Sequence, residues 1–381
     1  MLYYQVGKNT YYTNVDALAA FTKDTSQSLE LKLKYKFIDN PTLWRKEPPL
    51  HINHYADMNA RVLRDRYDRL ELRYSGGTDS QTVLRSFIRA NVKIAVHHMA
   101  TSTISKFTND LYDHNKKDFE RVAKLDNVTE FKTHHAHDMS PKEFEKALKI
   151  YHGHVGTALQ NTGMAWMFGN NNCIFSLDVP EKNGYVFGKE KPHLVINDGW
   201  WNWTVNDAMF SDCHWNFEKG DMVWFWFSDD VPEIQIKLTH LHIRAIEEVA
   251  RIEKTKITKQ WLEDVQRADS KWYNFILAFC GYEGLNPVLN SSKPKLSDPA
   301  GTRVAEYRKY NDKKGITNLY AEYGQDIKKN LRSDFYELGD ADPERTYSGE
   351  EVIHVAGVWT KPIRVKPVSS ELLPGSNTRS A

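Results

Sequence analysis

Between residues 70 and 133 short β-type runs alternate with helical ones, and that rhythm limits the fold more than any other feature of the chain. LELRY (70–74), VKIAVHH (92–98) and VTEFKT (128–133) read as strands, with helical spacing over 80–90 and 115–125 between them. Strand, helix, strand at this interval leaves no place for tight hairpins. The strands are therefore expected to run parallel in a doubly wound α/β sheet. A further helix is expected over 141–151, with Ser140 as its N-cap and Pro141 at the first helical position.

Outside that block the character changes. A hairpin is expected near residues 7–13, a half-wet strand in LELKLKYKFI (29–38), and a helix over 54–69. Asn197-Asp198-Gly199 between two alternating runs (193–205) is a hairpin signal. MVWFWFS (222–228) reads as another strand. The segment from 228 to 252 reads as a long helix, with Asp229 and Asp230 as caps and Pro232 in its first turn. More helix is expected over 259–279, and the polar, proline-bearing stretch after 290 reads as a tail wrapped over the body and frayed at its end.

Charge and cysteines narrow the setting. The 51 Lys and Arg nearly cancel the 50 Asp and Glu, which removes the simplest electrostatic argument for a nucleic-acid binder. Cys173, Cys213 and Cys280 lack CxxC spacing and read as reduced thiols of a cytoplasmic protein. The N-terminus shows no signal-peptide pattern, and no apolar run approaches a membrane span, so no membrane partner is expected.

The chemistry concentrates in YSGGTDSQTVL (74–84), where a strand meets a helix through two glycines. Such a turn gathers backbone N–H groups at one point, and the helix dipole adds partial positive charge there. Gly76 and Gly77 let the backbone approach a phosphate, and Ser75 and Ser80 offer hydroxyls. Asp79 is itself an anion, so it holds Mg²⁺ or caps the helix. Asp178 closes the apolar run CIFSLDV, read as a fourth parallel strand, where it suits a second magnesium contact, a substrate amine or a plain turn. Lys189 and Lys191 in GKEKP either carry charge to a leaving group or sit in a solvated turn. Arg73, on the strand before the turn, reads equally as a structural ion pair or a site residue. The clustered histidines read as structural or solvent-exposed, since HxH on a helix diverges, with His97 or His98 at the end of the second strand as the exception. Six of the 11 tryptophans fall between 200 and 226 and read as hairpin core, with a stacking wall as the alternative.

Residues 75–80, SGGTDS, resemble the phosphate loop of the N-type ATP pyrophosphatases, and the Walker pattern GxxxxGK[ST] is absent. The resemblance covers about 70–135 and extends loosely to about 255; within the superfamily it is closest to the synthase domain of asparagine synthetase and the stand-alone phage proteins like it. It implies a Rossmann-like parallel sheet of the adenine nucleotide alpha hydrolase type, here at 66–255. Around it are expected an α+β segment at 1–65, a β-hairpin insert at about 190–228, a helical extension at 256–290 and a tail at 291–381. It also implies ATP and Mg²⁺: Ser75, Gly76, Gly77, Thr78, Asp79 and Ser80 on the phosphates and metal, and the strand end at His98 and Met99 by the adenine. An oxygen of a small-molecule acceptor would attack the α-phosphate, and ammonia or an amine would then displace AMP. Residue 2 is leucine where the glutaminase domain of asparagine synthetase carries its cysteine, and the family's later Gly-Asp-Glu loop is not recognisable. A nucleotide-binding module without catalysis and a nucleic-acid base-modifying enzyme stay as alternatives, and self-association is left open.

Overall fold

The computed structural model describes residues 2–11, 17, 20, 21, 23, 24, 26–33, 35–74, 76–100, 118–135, 182–188, 192–205, 220–266, 270–282 and 360–374. Its centre is a five-stranded parallel sheet of β4 (Arg69–Tyr74), β5 (Ile94–Ala100), β6 (Val128–His135), β7 (Asn183–Phe187) and β10 (Gly220–Trp224), in the order β10-β7-β4-β5-β6. The α/β class and parallel direction expected from the sequence are present. Helix α1 (Ile52–Arg66) leads into β4, and α2 (Thr78–Arg89) crosses from β4 to β5. Helix α3 (Glu233–Ile252) packs on α1, and α1 packs on α2, so the three form one layer on the sheet.

Period-2 alternation gives the sheet two unlike faces. One is apolar: Leu70, Leu72, Val96 and Val186 are buried, and Phe119 packs its ring against Tyr74, His98 and Phe131. The other carries Arg69, Glu71, Arg73, His97, Glu130, Asn183 and Tyr185, several of them buried. Parallel strands buried on both sides are ordinarily near-continuous in hydrophobics. Here charge is buried instead, and it is paired. Glu71 lies 2.7 Å from Arg73 and 2.9 Å from His97 Nδ1, while Arg69 reaches Glu130 at 2.5 Å. Burial pushes the Glu71 carboxyl up, but the His97 hydrogen bond and the arginines outweigh it and leave the group below its usual range. Burial likewise brings the Arg73 guanidinium down to about 10, still protonated at neutral pH.

Two small sheets flank the centre. In the N-terminal one, β1 (Leu2–Val6) pairs with β2 (Asn9–Tyr11) through the expected hairpin and with β3 (Leu29–Leu33). The second pairs β8 (His193–Asn197) with β9 (Trp200–Thr204) through Asp198 and Gly199, both at positive φ (52° and 73°) as a type I′ turn requires. Its third strand is β11 (Ile363–Pro367), so this part of the expected tail is built into a sheet. The insert is also shorter than expected, because β10 joins the central sheet. The strand beside β4 is Asn183–Phe187, which the sequence reading passed over; Asp178 and the run around it lie outside the described residues, as does the helix expected at 141–151.

Four of the described tryptophans of the 200–226 region lie in the core. Trp201, Trp203, Trp224 and Trp226 are buried, Trp203 meets Trp44 with ring centroids 4.7 Å apart, and Trp201 donates to Glu247 of α3 at 2.9 Å. Asp229 and Asp230 do not cap α3, whose N-cap position is Pro232. Asp229 instead accepts from the Lys36 N–H at 2.6 Å, and Asp230 pairs with Arg66. Among the described residues no helix is long and apolar enough to cross a membrane.

Helices α4 (Lys259–Gln266) and α5 (Tyr273–Phe279) are tied to the end of α3 by one carboxylate. Glu253 accepts from Lys271 and from the indole N–H groups of Trp272 and Trp261 at 2.7 to 2.9 Å, and these bonds hold its pKa down from 4.5 to about 2. A depressed folded-state pKa contributes stability above the unfolded value and loses it as pH falls through the folded one. Acid titration from pH 4.5 to 2 is therefore expected to loosen α4 and α5, reported by Trp261 and Trp272 fluorescence, and Glu253→Gln is expected to remove that transition.

Candidate functional site

The turn after β4 sits where the strand order reverses. With β5 and β6 on one side of β4 and β7 and β10 on the other, the reversal falls between β4 and β7. In open α/β sheets ligands bind outside the carboxyl ends of the strands at such a point. Gly76 is buried at φ +75°, a left-handed conformation that favours glycine. Gly77 is the N-cap of α2 at φ −78° and ψ 165°, ordinary extended backbone. No side chain at 77 caps the helix.

Side chains of α2 and β5 hold the turn from behind. Gln81 donates through Nε2 to the Gly76 carbonyl at 2.7 Å, and the Gln81 N–H donates to the Gly77 carbonyl at 3.0 Å. In a trans peptide the N–H points opposite to the carbonyl. The N–H groups of Gly77 and Thr78 are thus turned away from the body of α2, at the positive end of its dipole. Ser80 Oγ also donates to the Gly77 carbonyl, at 3.0 Å, so this hydroxyl braces the turn. On the strand side, Tyr74 donates to Asp118 at 3.1 Å, and its carbonyl bonds His98 Nδ1 at 2.8 Å. Burial, then the Asp118 charge, push the Tyr74 phenol far above its usual range, which keeps it a neutral donor.

The expected site residues separate into groups. Gly76, Gly77, Thr78, Asp79 and Ser80 are together at the turn, with Asp79 in the first turn of α2 and its Oδ1 shut off from solvent. His98 lies at the same sheet edge, but its ring is buried against Phe119 (centroids 4.1 Å apart) and bonded to Tyr74, so the backbone there is better placed than the imidazole to meet a base. Met99 pairs with His134 in the sheet, and its side chain is outside the description. Ser75, Asp178, Lys189 and Lys191 lie outside the described residues. Arg73 is an ion-pair residue: its guanidinium lies level with Glu71 and over the Tyr185 ring, 5.0 Å from the centroid, below the strand ends.

Among the described residues, the histidines His240 and His242 resolve as structure. His240 Nε2 bonds the Trp44 carbonyl at 2.9 Å, and His242 Nδ1 lies 3.1 Å from Cys280 Sγ, both pairs buried. Among the described residues no three His, Cys, Asp or Glu side chains converge as a metal site.

Sequence reasoning missed Gly188. It directly follows β7 and packs against the first turn of α2, close to the Asp79 backbone, while its carbonyl accepts from Trp226 Nε1 at 3.0 Å. Only a contact between distant segments identifies it. No protein-family model matches the chain. No curated protein matches it either.

Proposed function

We propose that this chain is an ATP-dependent adenylating ligase of the N-type ATP pyrophosphatase kind, forming a C–N bond as asparagine synthetase does, with ammonia or an amine as the nitrogen donor. The observation that carries the reading is the glycine turn at the reversal point of the sheet, where the Gly76 and Gly77 carbonyls are drawn back to Gln81 and the Gly77 and Thr78 N–H groups are turned away from the body of α2 at its N-terminus.

The turn amides and the dipole of α2 would hold the outer phosphates of ATP, with the Ser75 hydroxyl beside them. Ser80 acts one step back, through the Gly77 carbonyl it already holds. Magnesium keeps several waters and takes one or two carboxylates plus phosphate oxygens, so the reading needs few protein ligands for it. Asp79 would supply the carboxylate here and Asp178 a second, and the ion would offset charge on the polyphosphate. The end of β5 at His98 and Met99 would meet the adenine chiefly through backbone groups. Lys191, three residues past Gly188 in the chain, would place its ammonium toward the departing pyrophosphate.

An acceptor oxygen attacks the α-phosphorus, the bond from that phosphorus to the bridging oxygen breaks, and the electron pair leaves with pyrophosphate. The nitrogen donor then attacks the activated carbon, loses a proton and expels AMP. Incubation with MgATP, ammonia and a panel of carboxylate and amide acceptors is expected to yield AMP and pyrophosphate in equal amounts. Release of ADP and phosphate would contradict the reading. Tight MgATP binding with no pyrophosphate from any acceptor would favour a binding module without catalysis.

A further inference from the structure

We infer that Gly188 and Trp226 are positioning residues for the anion-binding turn, an inference that rests on the nucleotide reading above. Gly188 is buried, and its backbone is not in the left-handed region, so conformation alone does not demand glycine there. Space does. A Cβ at 188 would stand 3.0 Å from the Asp79 carbonyl oxygen, 3.1 Å from its carbonyl carbon and 3.0 Å from Val83 Cγ2.

Those contacts are mainly helix backbone, which cannot swing aside as a side-chain end can. The Asp79 carbonyl belongs to the first turn of α2, the turn whose N–H groups face outward. A side chain at 188 must therefore move the groups that would hold phosphate, or move β7 away from them. The Trp226 indole fixes the other side of Gly188 through its 3.0 Å bond to the carbonyl, and the indole is itself buried and packed on Tyr282 with centroids 5.2 Å apart. The β7–α2 seam is thus pinned from both sides at the end of the strand.

Gly184, on the same strand, provides a matched control. A Cβ there would meet the Tyr67 ring at 2.9 Å and Leu70 Cδ2 at 3.0 Å. Gly184 is level with Leu70, toward the start of β4 and away from the turn. Alanine at either glycine crowds the sheet, but only one crowds the turn.

The experiment is calorimetric titration of MgATP into the parent and into Gly188→Ala, Trp226→Phe and Gly184→Ala, with urea unfolding of each. Gly188→Ala is expected to lose affinity by about tenfold or more and Trp226→Phe by about threefold, because small displacements of positioning groups are strongly felt at a reacting centre. Gly184→Ala is expected to bind within about twofold of the parent while unfolding at least as early as Gly188→Ala. Parental affinity in Gly188→Ala overturns the inference, as does an equal loss in Gly184→Ala, which would show general loosening. If Gly188→Ala does not fold, Trp226→Phe decides alone, and parental affinity there overturns the inference. A parent that binds no MgATP overturns the nucleotide reading first, and this inference with it.

Discussion

Gly77→Ser is expected to weaken MgATP binding by about tenfold or more while leaving the protein as stable as the parent, or slightly more so. Gly77 holds φ −78° and ψ 165°, a conformation open to any residue, and it occupies the N-cap of α2. Serine is among the best residues for that position and exceeds glycine there by a few tenths of a kcal/mol. A purely structural turn would gain from the change. A phosphate-binding turn would lose, because the serine hydroxyl takes the N–H groups the phosphates need, and its Cβ stands where they approach. Titration and urea unfolding on the same sample separate the two. Gly76→Ala is the companion variant: at φ +75° alanine is strained by about 1–2 kcal/mol, so both stability and affinity should fall.

Glu71→Ala is expected to be the most destabilising single change in the central sheet, by about 3–5 kcal/mol. Glu71 is 2% exposed and is shared by Arg73 at 2.7 Å and His97 Nδ1 at 2.9 Å, with Arg69 at 3.9 Å. Removing the carboxylate leaves the Arg73 guanidinium, 7% exposed, in the interior without that counter-charge. The double variant Glu71→Leu/Arg73→Met should recover much of the loss, since replacing a buried ion pair by apolar side chains of similar volume is often neutral or stabilising. Urea unfolding measures both. A loss under about 1 kcal/mol for Glu71→Ala would mean that the pair contributes no more than a surface bridge.

Both predictions concern the stretch that was easiest to read and the face that was hardest. Strand β4, its turn and helix α2 were legible because glycine and helical periodicity are local properties. The Asp198-Gly199 hairpin was legible for the same reason, and so was α3, apart from its start. The polar face of the sheet was not. RLELRY alternates as a half-wet strand does, and nothing local says that its charged side is buried against His97 of β5 and Tyr185 of β7. Asn183–Phe187 was hidden because Asn-Gly reads as a turn, whereas here Gly184 serves close packing against Tyr67. Strand β11 depends on pairing with a hairpin some 160 residues earlier, a match no local pattern encodes.

The site divides in the same way. Its glycines, Asp79 and Ser80 were named from the motif, and the structure sets them at the reversal point of the sheet. The Ser80 hydroxyl braces the turn, and the His98 ring holds the carbonyl of Tyr74. Both roles depend on where a side chain turns, which composition and spacing do not specify. Gln81 carried no signal beyond the spacing of an ordinary helix, and Gly188 follows a strand that no local pattern marks.

Hydrogen–deuterium exchange of the peptide spanning residues 74–84, with and without MgATP, tests the central claim most directly, because it reads the amides proposed to grip the phosphates. Saturating MgATP is expected to slow exchange at Gly76, Gly77, Thr78 and Asp79 and to leave the paired amides of β8 and β9 unchanged. Exchange at those four positions that is the same with and without nucleotide, in a protein shown to bind MgATP, would place the phosphates elsewhere and contradict the account.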